Sequence, residues 1–265
     1  MTTRAPEILA LDFDGVICNG LVEYFRTTCR TYCQIWSEDS QHPTQGLAAS
    51  FYKLRPVIET GWEMPVLLRA LIIGIPEQKI LEHWVEISHK IVAEEHLEQK
   101  DVALKLDAVR DHWIKKDLQG WLALHEFYPG VVERIQSILT EGKTQLVIVT
   151  TKEGRFVKQL LQQQGINLPD DSIIGKESQR PKYETLRLLM QMHSSKKPRV
   201  WFVEDRLKTL QSVHQQSDLE RVQLYLADWG YNTASAQAIA AGHSKLKLLS
   251  LEQFSQDFTA WKKKK

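Results

Sequence analysis

Four short apolar runs punctuate the chain, at Ile8 to Leu11, Leu146 to Val149, Val200 to Val203 and Val222 to Leu226, each bounded by polar or turn residues. Runs of this length, apolar at successive positions, are what strands buried on both faces of a parallel sheet require. Between them the period changes to that of a helix: Val131, Ile135, Ile138 and Leu139 fall on one face, then Phe156, Val157, Leu160 and Leu161, then Leu186, Leu189 and Met190. Strand and helix therefore alternate from about residue 128 onward, with Leu246 to Leu249 as a candidate last strand. This alternation predicts a doubly wound, Rossmann-like α/β sheet.

The first run is separated from the next by a long stretch of helical rather than strand periodicity. Val22, Phe25, Cys29 and Trp36 mark one amphipathic helix, Ile80, Trp84, Ile87 and Ile91 another, and Val102, Leu106, Val109 and Trp113 a third. The expectation is an inserted all-α domain at 20–120 within an α/β core formed by 1–19 and 121–265. Gly20 and Gly120 stand at the two crossings, where backbone rotation would let the insertion gate a site.

Charge narrows the class of partner. Lys and Arg number 34 against 33 Asp and Glu, so the formal charge of +1 attracts neither nucleic acid nor an anionic membrane surface, and an anionic ligand must be held locally. Cys18, Cys29 and Cys33 are an odd, crowded set that suits a reducing compartment better than a disulfide framework. The opening MTTRAPEILALDFD reaches acidic residues before any adequate apolar segment, which argues against a signal peptide, and no later segment reads as a membrane span. A cytoplasmic protein without nucleic-acid or membrane partners is expected. Lys262 to Lys265 read as an uncommitted tail.

Chemistry concentrates at the predicted strand ends. In LDFDGV, Asp12 and Asp14 close the first run at i and i+2, so alternation points both carboxylates the same way, and Gly15 permits the sharp turn that exposes them. Carboxylates crowded there need a cation or a proton to separate their roles. Thr150, Thr151 and Lys152 follow the second run and offer hydroxyls and backbone N–H groups to a phosphate. Glu204 and Asp205 follow RVWFV and supply hard oxygen donors suited to Mg²⁺.

These residues, in this order, resemble the haloacid dehalogenase superfamily in its phosphatase branch. Its first motif, DxDG[VTI], is matched by Asp12, Asp14 and Gly15; its second, a Ser or Thr closing the next strand, by Thr150. The third, a Lys at a helix start, is matched by Lys182 in RPKYETLRLL, and the fourth, an acidic pair after a strand, by Glu204 and Asp205. Arg180 stands where some members place the lysine of a Lys-Pro pair, so the choice between Lys182 and Arg180 stays open. The insertion is similar in placement to the family's helical cap.

The resemblance implies a Mg²⁺-dependent phosphatase acting on a small phosphorylated metabolite. Asp12 would be the nucleophile and Asp14 the general acid and base. Thr150 and Lys182 would hold the transferring oxygens, with Gly15, Thr151, Lys152 and Arg180 around the phosphate. In the insertion, Lys53, Arg55, Glu59 and Trp62 are candidates for substrate contact, because Pro56 and Gly61 interrupt regular structure there and could point polar groups at a ligand. The metal would sit on Asp12, the main-chain carbonyl of Asp14 and Asp205, with Glu204 nearby. A phosphosugar mutase of the same superfamily and a catalytically idle binding protein are the alternatives.

Overall fold

The computed structural model describes residues 5–36, 46–195 and 197–261. The chain runs through β1 (Ile8–Leu11) and β2 (Cys18–Asn19) into α1 (Leu21–Trp36), α2 (Ala48–Leu54), α3 (Glu63–Ile72), α4 (Glu77–Glu94), α5 (Gln99–Lys116) and α6 (Leu118–Leu122). It continues with β3 (Glu126–Phe127), α7 (Val131–Glu141), β4 (Gln145–Val149), α8 (Gly154–Gln163), β5 (Ile173–Ile174), α9 (Lys182–Met192) and β6 (Val200–Glu204). It closes with α10 (Leu207–His214), β7 (Gln223–Ala227), α11 (Ala234–Gly242), β8 (Leu246–Leu249) and α12 (Leu251–Phe254). Two compact units result, one of residues 1–19 with 126–265 and one of residues 20–125.

The first unit holds a parallel sheet of order β5-β4-β1-β6-β7-β8. The four apolar runs and the candidate last strand all fall on strands of it, and all four residues of β1 are buried, as the unbroken run requires. On one face Ile8, Ala10, Val147, Phe202 and Leu224 pack with Leu186 of α9 and with Leu210 and Val213 of α10. The other face includes an aromatic cluster in which Trp201 lies 5.5 Å from Trp261, 5.3 Å from Phe258 and 5.2 Å from Tyr225 between ring centroids. The fold class is α/β as expected. The periodicity missed β5 and the antiparallel ribbon of β2 with β3, because two residues carry no period.

The second unit, inserted between β2 and β3, is helical, and α5 buries Val102, Leu106, Val109 and Trp113 as its pattern predicts. In α4, Ile80, Trp84 and Ile91 are buried, while Ile87 is half-buried beside the buried Ser88. The face predicted for α1 is corrected. Val22, Phe25, Cys29 and Trp36 are half-buried, and the buried face is Glu23, Tyr24, Thr27, Thr28, Thr31 and Tyr32. Hydrogen bonds make this possible: Glu23 Oε1 accepts from Thr27 Oγ1 (2.6 Å), Arg110 Nε (2.9 Å) and Trp121 Nε1 (3.0 Å). The last of these keeps α6 with the helices, so the unit extends to His125 rather than 120. Gly120 is no crossing point; it lies inside α6, its amide donating to Asp117 Oδ1 (2.8 Å). Lys262 to Lys265 lie outside the described residues.

Candidate active site

From β1 the sheet grows in both directions, to β4 and β5 on one side and to β6, β7 and β8 on the other. Beside such a switch point the connections diverge and leave a crevice outside the carboxyl ends of the strands. Asp12 follows β1 directly, its amide donating to the Val203 carbonyl (2.9 Å). Thr150 follows β4, its amide donating to the Ile174 carbonyl (3.0 Å). Glu204 is the last residue of β6, Asp205 the next, and Lys182 the first of α9.

These residues meet. Lys182 Nζ is 2.8 Å from Asp12 Oδ2 and 2.7 Å from Glu204 Oε2. Asp12 Oδ1 also accepts from the Phe13 amide (2.7 Å), Glu204 Oε1 from the Arg206 amide (3.0 Å) and Asp205 Oδ2 from the Tyr231 amide (2.8 Å). Asp12, Glu204 and Asp205 each offer an oxygen within 4.8 Å of the others, and all three are buried.

Electrostatics follow from that crowding. Burial, reinforced by Glu204, pushes the Asp12 carboxyl up to about 7 against the pull of Lys182. Burial raises the Glu204 and Asp205 carboxyls as well. Burial works against the charge of Lys182, but Asp12 and Glu204 outweigh it and hold its ammonium above the usual lysine range. Three buried carboxylates thus lie together, two of them on the Lys182 ammonium and the third, Asp205, on the Tyr231 amide with Arg206 as its cation. Such an excess of negative charge, built from hard oxygen donors alone, suits a small divalent cation such as Mg²⁺.

Asp14 has a different environment. Its Oδ1 and Oδ2 lie 3.3 and 3.4 Å from Lys152 Nζ, the two side chains being 18% and 9% exposed. Lys152, expected beside the phosphate, therefore has its ammonium on Asp14, and the carboxylate of Asp14 lies outside the acidic group. Gly15 makes the turn at φ +83°, and a Cβ there would come 2.2 Å from Asp205 Oδ2. The Thr150 hydroxyl accepts from the Lys152 amide (3.1 Å), while Thr151 is exposed. Of the two cations left open by the motif, Lys182 reaches Asp12; Arg180 is exposed on the loop before α9 and lines a neighbouring cavity. Arg55 belongs to the helical unit, where it donates to the Ile58 carbonyl (3.0 Å) and lies over the Tyr24 ring. Lys53, another candidate of the insertion, pairs with Glu77 at 2.6 Å.

One segment of the site went unread in the sequence. After β7, Trp229 Nε1 donates to the Val16 carbonyl (3.1 Å), the Tyr231 amide to Asp205, and Asn232 Nδ2 to the carbonyls of Ala227 (2.7 Å) and Asp205 (3.2 Å). Gly230 sits so close that a Cβ would come 2.3 Å from Asp205 Cβ and 2.5 Å from the Gly15 carbonyl oxygen. The available signal was Asp-Trp-Gly-Tyr-Asn directly after a strand, a glycine between two aromatics where backbone must approach backbone.

Residues 65–217 match the family described as haloacid dehalogenase-like hydrolase, a stretch that includes Thr150, Lys182, Glu204 and Asp205 but begins after Asp12 and Asp14. No curated protein matches the sequence. Among solved structures, a candidate phosphoglycolate phosphatase from Lactobacillus delbrueckii subsp. bulgaricus is similar at TM-score 0.60 and 13% identity, over 96% of this chain and 98% of its own. A predicted phosphoglycolate phosphatase from Haemophilus somnus aligns at TM-score 0.56 and 15% identity, over 87% and 88% of the two chains. Protein Tyrosine Kinase A from Mycobacterium tuberculosis aligns at TM-score 0.55 and 14% identity, over 94% and 96%. Likeness at this identity establishes the fold; names as different as phosphatase and kinase share it.

Proposed function

The chain belongs to the haloacid dehalogenase-like hydrolases, and from that premise we propose that it hydrolyses a small phosphomonoester through an aspartyl phosphate formed on Asp12. The observation that carries this reading is the buried bridge of Lys182 between Asp12 and Glu204, with Asp205 alongside, at the switch point of the sheet. Lys182 favours the ionised form of Asp12 against its burial and holds it in place for attack on phosphorus. Asp14 gives a proton to the departing alkoxide oxygen, and the ester bond breaks as the Asp12–phosphorus bond forms. In the second step Asp14 takes a proton from water as its oxygen attacks the same phosphorus, and Asp12 leaves as carboxylate. Lys152 holds the carboxylate of Asp14 from both oxygens and so fixes where that proton is given and taken. Thr150 and Lys182 steady the transferring oxygens.

The acidic group fits Mg²⁺ by its charge and donor type. Asp12, Asp205 and the main-chain carbonyl of Asp14 would hold it, and Glu204 would anchor Lys182. When bound, Mg²⁺ offsets the repulsion between carboxylates and a phosphate dianion.

The test is release of phosphate from p-nitrophenyl phosphate and a panel of phosphorylated metabolites with Mg²⁺, with and without EDTA, alongside acid-quenched intact mass spectrometry. Hydrolysis abolished by EDTA, with a transient mass increase on Asp12, is expected. A phosphoaspartate that persists and passes to a sugar hydroxyl would mark a mutase instead, and none with any substrate an idle fold.

A further inference from the structure

Asp14 owes its place to the turn that follows β1, and that turn closes upon itself. The Phe13 carbonyl accepts from the amides of Val16 (3.3 Å), Ile17 (2.8 Å) and Cys18 (2.9 Å), and the Gly15 amide donates to the Cys18 carbonyl (2.8 Å). These bonds fix the turn's shape. They leave its orientation to contacts from outside, since all of them lie within residues 13–18 and Gly15, at φ +83°, is a pivot beside Asp14.

Three contacts supply that orientation. The Ile17 carbonyl accepts from the Tyr128 amide (3.1 Å), the Asp14 carboxylate lies on Lys152, and the Val16 carbonyl accepts from Trp229 Nε1 (3.1 Å). Val16 is fully buried, so water cannot replace the indole as its donor. The indole is itself held, meeting the Tyr128 ring at 6.4 Å and the Phe254 ring at 5.6 Å, both edge to face. Its main chain is held as well. The Gly230 amide donates to the Ala227 carbonyl (3.2 Å), and Gln237 Nε2 donates to the Asp228 carbonyl (2.8 Å) and to Asn232 Oδ1 (2.8 Å).

We propose that Trp229 is a positioning residue for the proton transfers of Asp14: through the Val16 carbonyl, its indole N–H sets where the turn presents the Asp14 carboxylate. This rests on the phosphatase reading and adds to it a residue that acts only through another. Asp12 does not depend on the indole in the same way. It precedes the turn, with its amide on the Val203 carbonyl and its carboxylate on Lys182 and the Phe13 amide. Loss of the indole N–H therefore falls on the steps that need Asp14 and spares the attack by Asp12.

Trp229→Phe keeps a ring against Tyr128 and Phe254 and removes the N–H. It is compared with the unaltered protein, with Mg²⁺, on p-nitrophenyl phosphate and on the alkyl phosphate that the unaltered protein hydrolyses fastest. The expected result is a fall in kcat/KM of about tenfold for the alkyl ester and of less than about twofold for the aryl ester, whose leaving group needs little protonation. Acid-quenched intact mass spectrometry at saturating p-nitrophenyl phosphate should show a larger fraction of phosphoenzyme in the variant, because attack by water still needs Asp14 as base. A merely structural role would not produce that rise. Phe258→Leu, whose ring lies against Trp201 and Trp261, shows what destabilisation alone does; it should lower the melting temperature and leave the alkyl-to-aryl ratio unchanged. An unchanged ratio in Trp229→Phe, or an equal fall for both esters without a rise in phosphoenzyme, overturns the proposal and leaves the phosphatase reading standing. An equal shift of the ratio in Phe258→Leu overturns it too. If the unaltered protein hydrolyses neither ester and forms no phosphoenzyme, both readings fail together.

Discussion

Both units bury carboxylates, and they treat them in opposite ways. In the helical unit, Glu23 accepts from a hydroxyl, a guanidinium and an indole, and Glu63 from the Trp84 indole, the Glu59 and Thr60 amides and the Thr60 hydroxyl. Glu23 takes three donors on Oε1 and Glu63 four over its two oxygens, and their burial serves packing: Glu23 ties α1 to α5 and α6. Arg110 shows the same balance, since burial opposes its charge but Glu23 more than restores it. In the α/β unit, Asp12 and Glu204 share the Lys182 ammonium, Asp205 has the Tyr231 amide and the charge of Arg206, and all three carboxyls are pushed upward. A buried acid by itself therefore says little; a deficit of donors around several of them marks the place where something else must bind.

The comparison breaks or sharpens on substitution. Asp12→Asn should abolish hydrolysis and phosphoenzyme together, a loss on the order of 10⁴-fold or more as for other nucleophiles that act within a unit. Because it relieves crowding, it should leave the unfolding midpoint in urea unchanged or higher without metal. A clear loss of stability would mean that Asp12 is as well compensated as Glu23.

Glu23→Gln should do the reverse. Taking the Glu23 charge from Arg110, which keeps only Asp107 at 3.8 Å among the described residues, should destabilise the protein by about 1.5–3 kcal/mol, read from urea unfolding, the scale of a hydrogen bond to a charged group. An effect below about 1 kcal/mol would put Glu23 among ordinary surface acids.

Mg²⁺ should raise the melting temperature of the unaltered protein, by an amount equivalent to about 2.7 kcal/mol at a hundred times its dissociation constant. The Asp205→Asn variant should lose this shift. Equal shifts in both proteins would separate the acidic group from metal binding.

Lys152→Met should lower kcat by about 10-fold to 100-fold for alkyl phosphates, and less for p-nitrophenyl phosphate, whose leaving group needs little protonation. Lys152→Arg should restore part of the difference. A uniform loss across leaving groups, carried in KM, would return Lys152 to the phosphate-binding role expected from the sequence.

Much of this was legible because it is local. β1, β4 and β6 are long enough to show unbroken apolar runs and β7 and β8 runs broken by one polar residue, and Asp12, Thr150, Glu204 and Asp205 stand at the ends of the first three, so strand pattern and motif pointed to the same positions. The buried face of α1 was misread for a related reason: its partners are Arg110 and Trp121, distant in sequence, and only their donors make a Glu and Thr face worth burying. β5 was too short to show any pattern.

What the chain by itself determined is the kind of groups brought to the strand ends and the class of sheet that presents them, since periodicity and turn chemistry depend on neighbours a few residues apart. Only the tertiary structure decided which cation serves which carboxylate. Lys182 lies 22 positions from Glu204, Lys152 lies 138 from Asp14, and the Tyr231 amide reaches Asp205 across 26. Those pairings are set by the parallel register of β4, β1, β6 and β7 and by where α9 begins, which no local pattern encodes. Moving the positive charge two residues, from Lys182 to Arg180, takes it from the helix start to the exposed loop before it, away from Asp12 and Glu204.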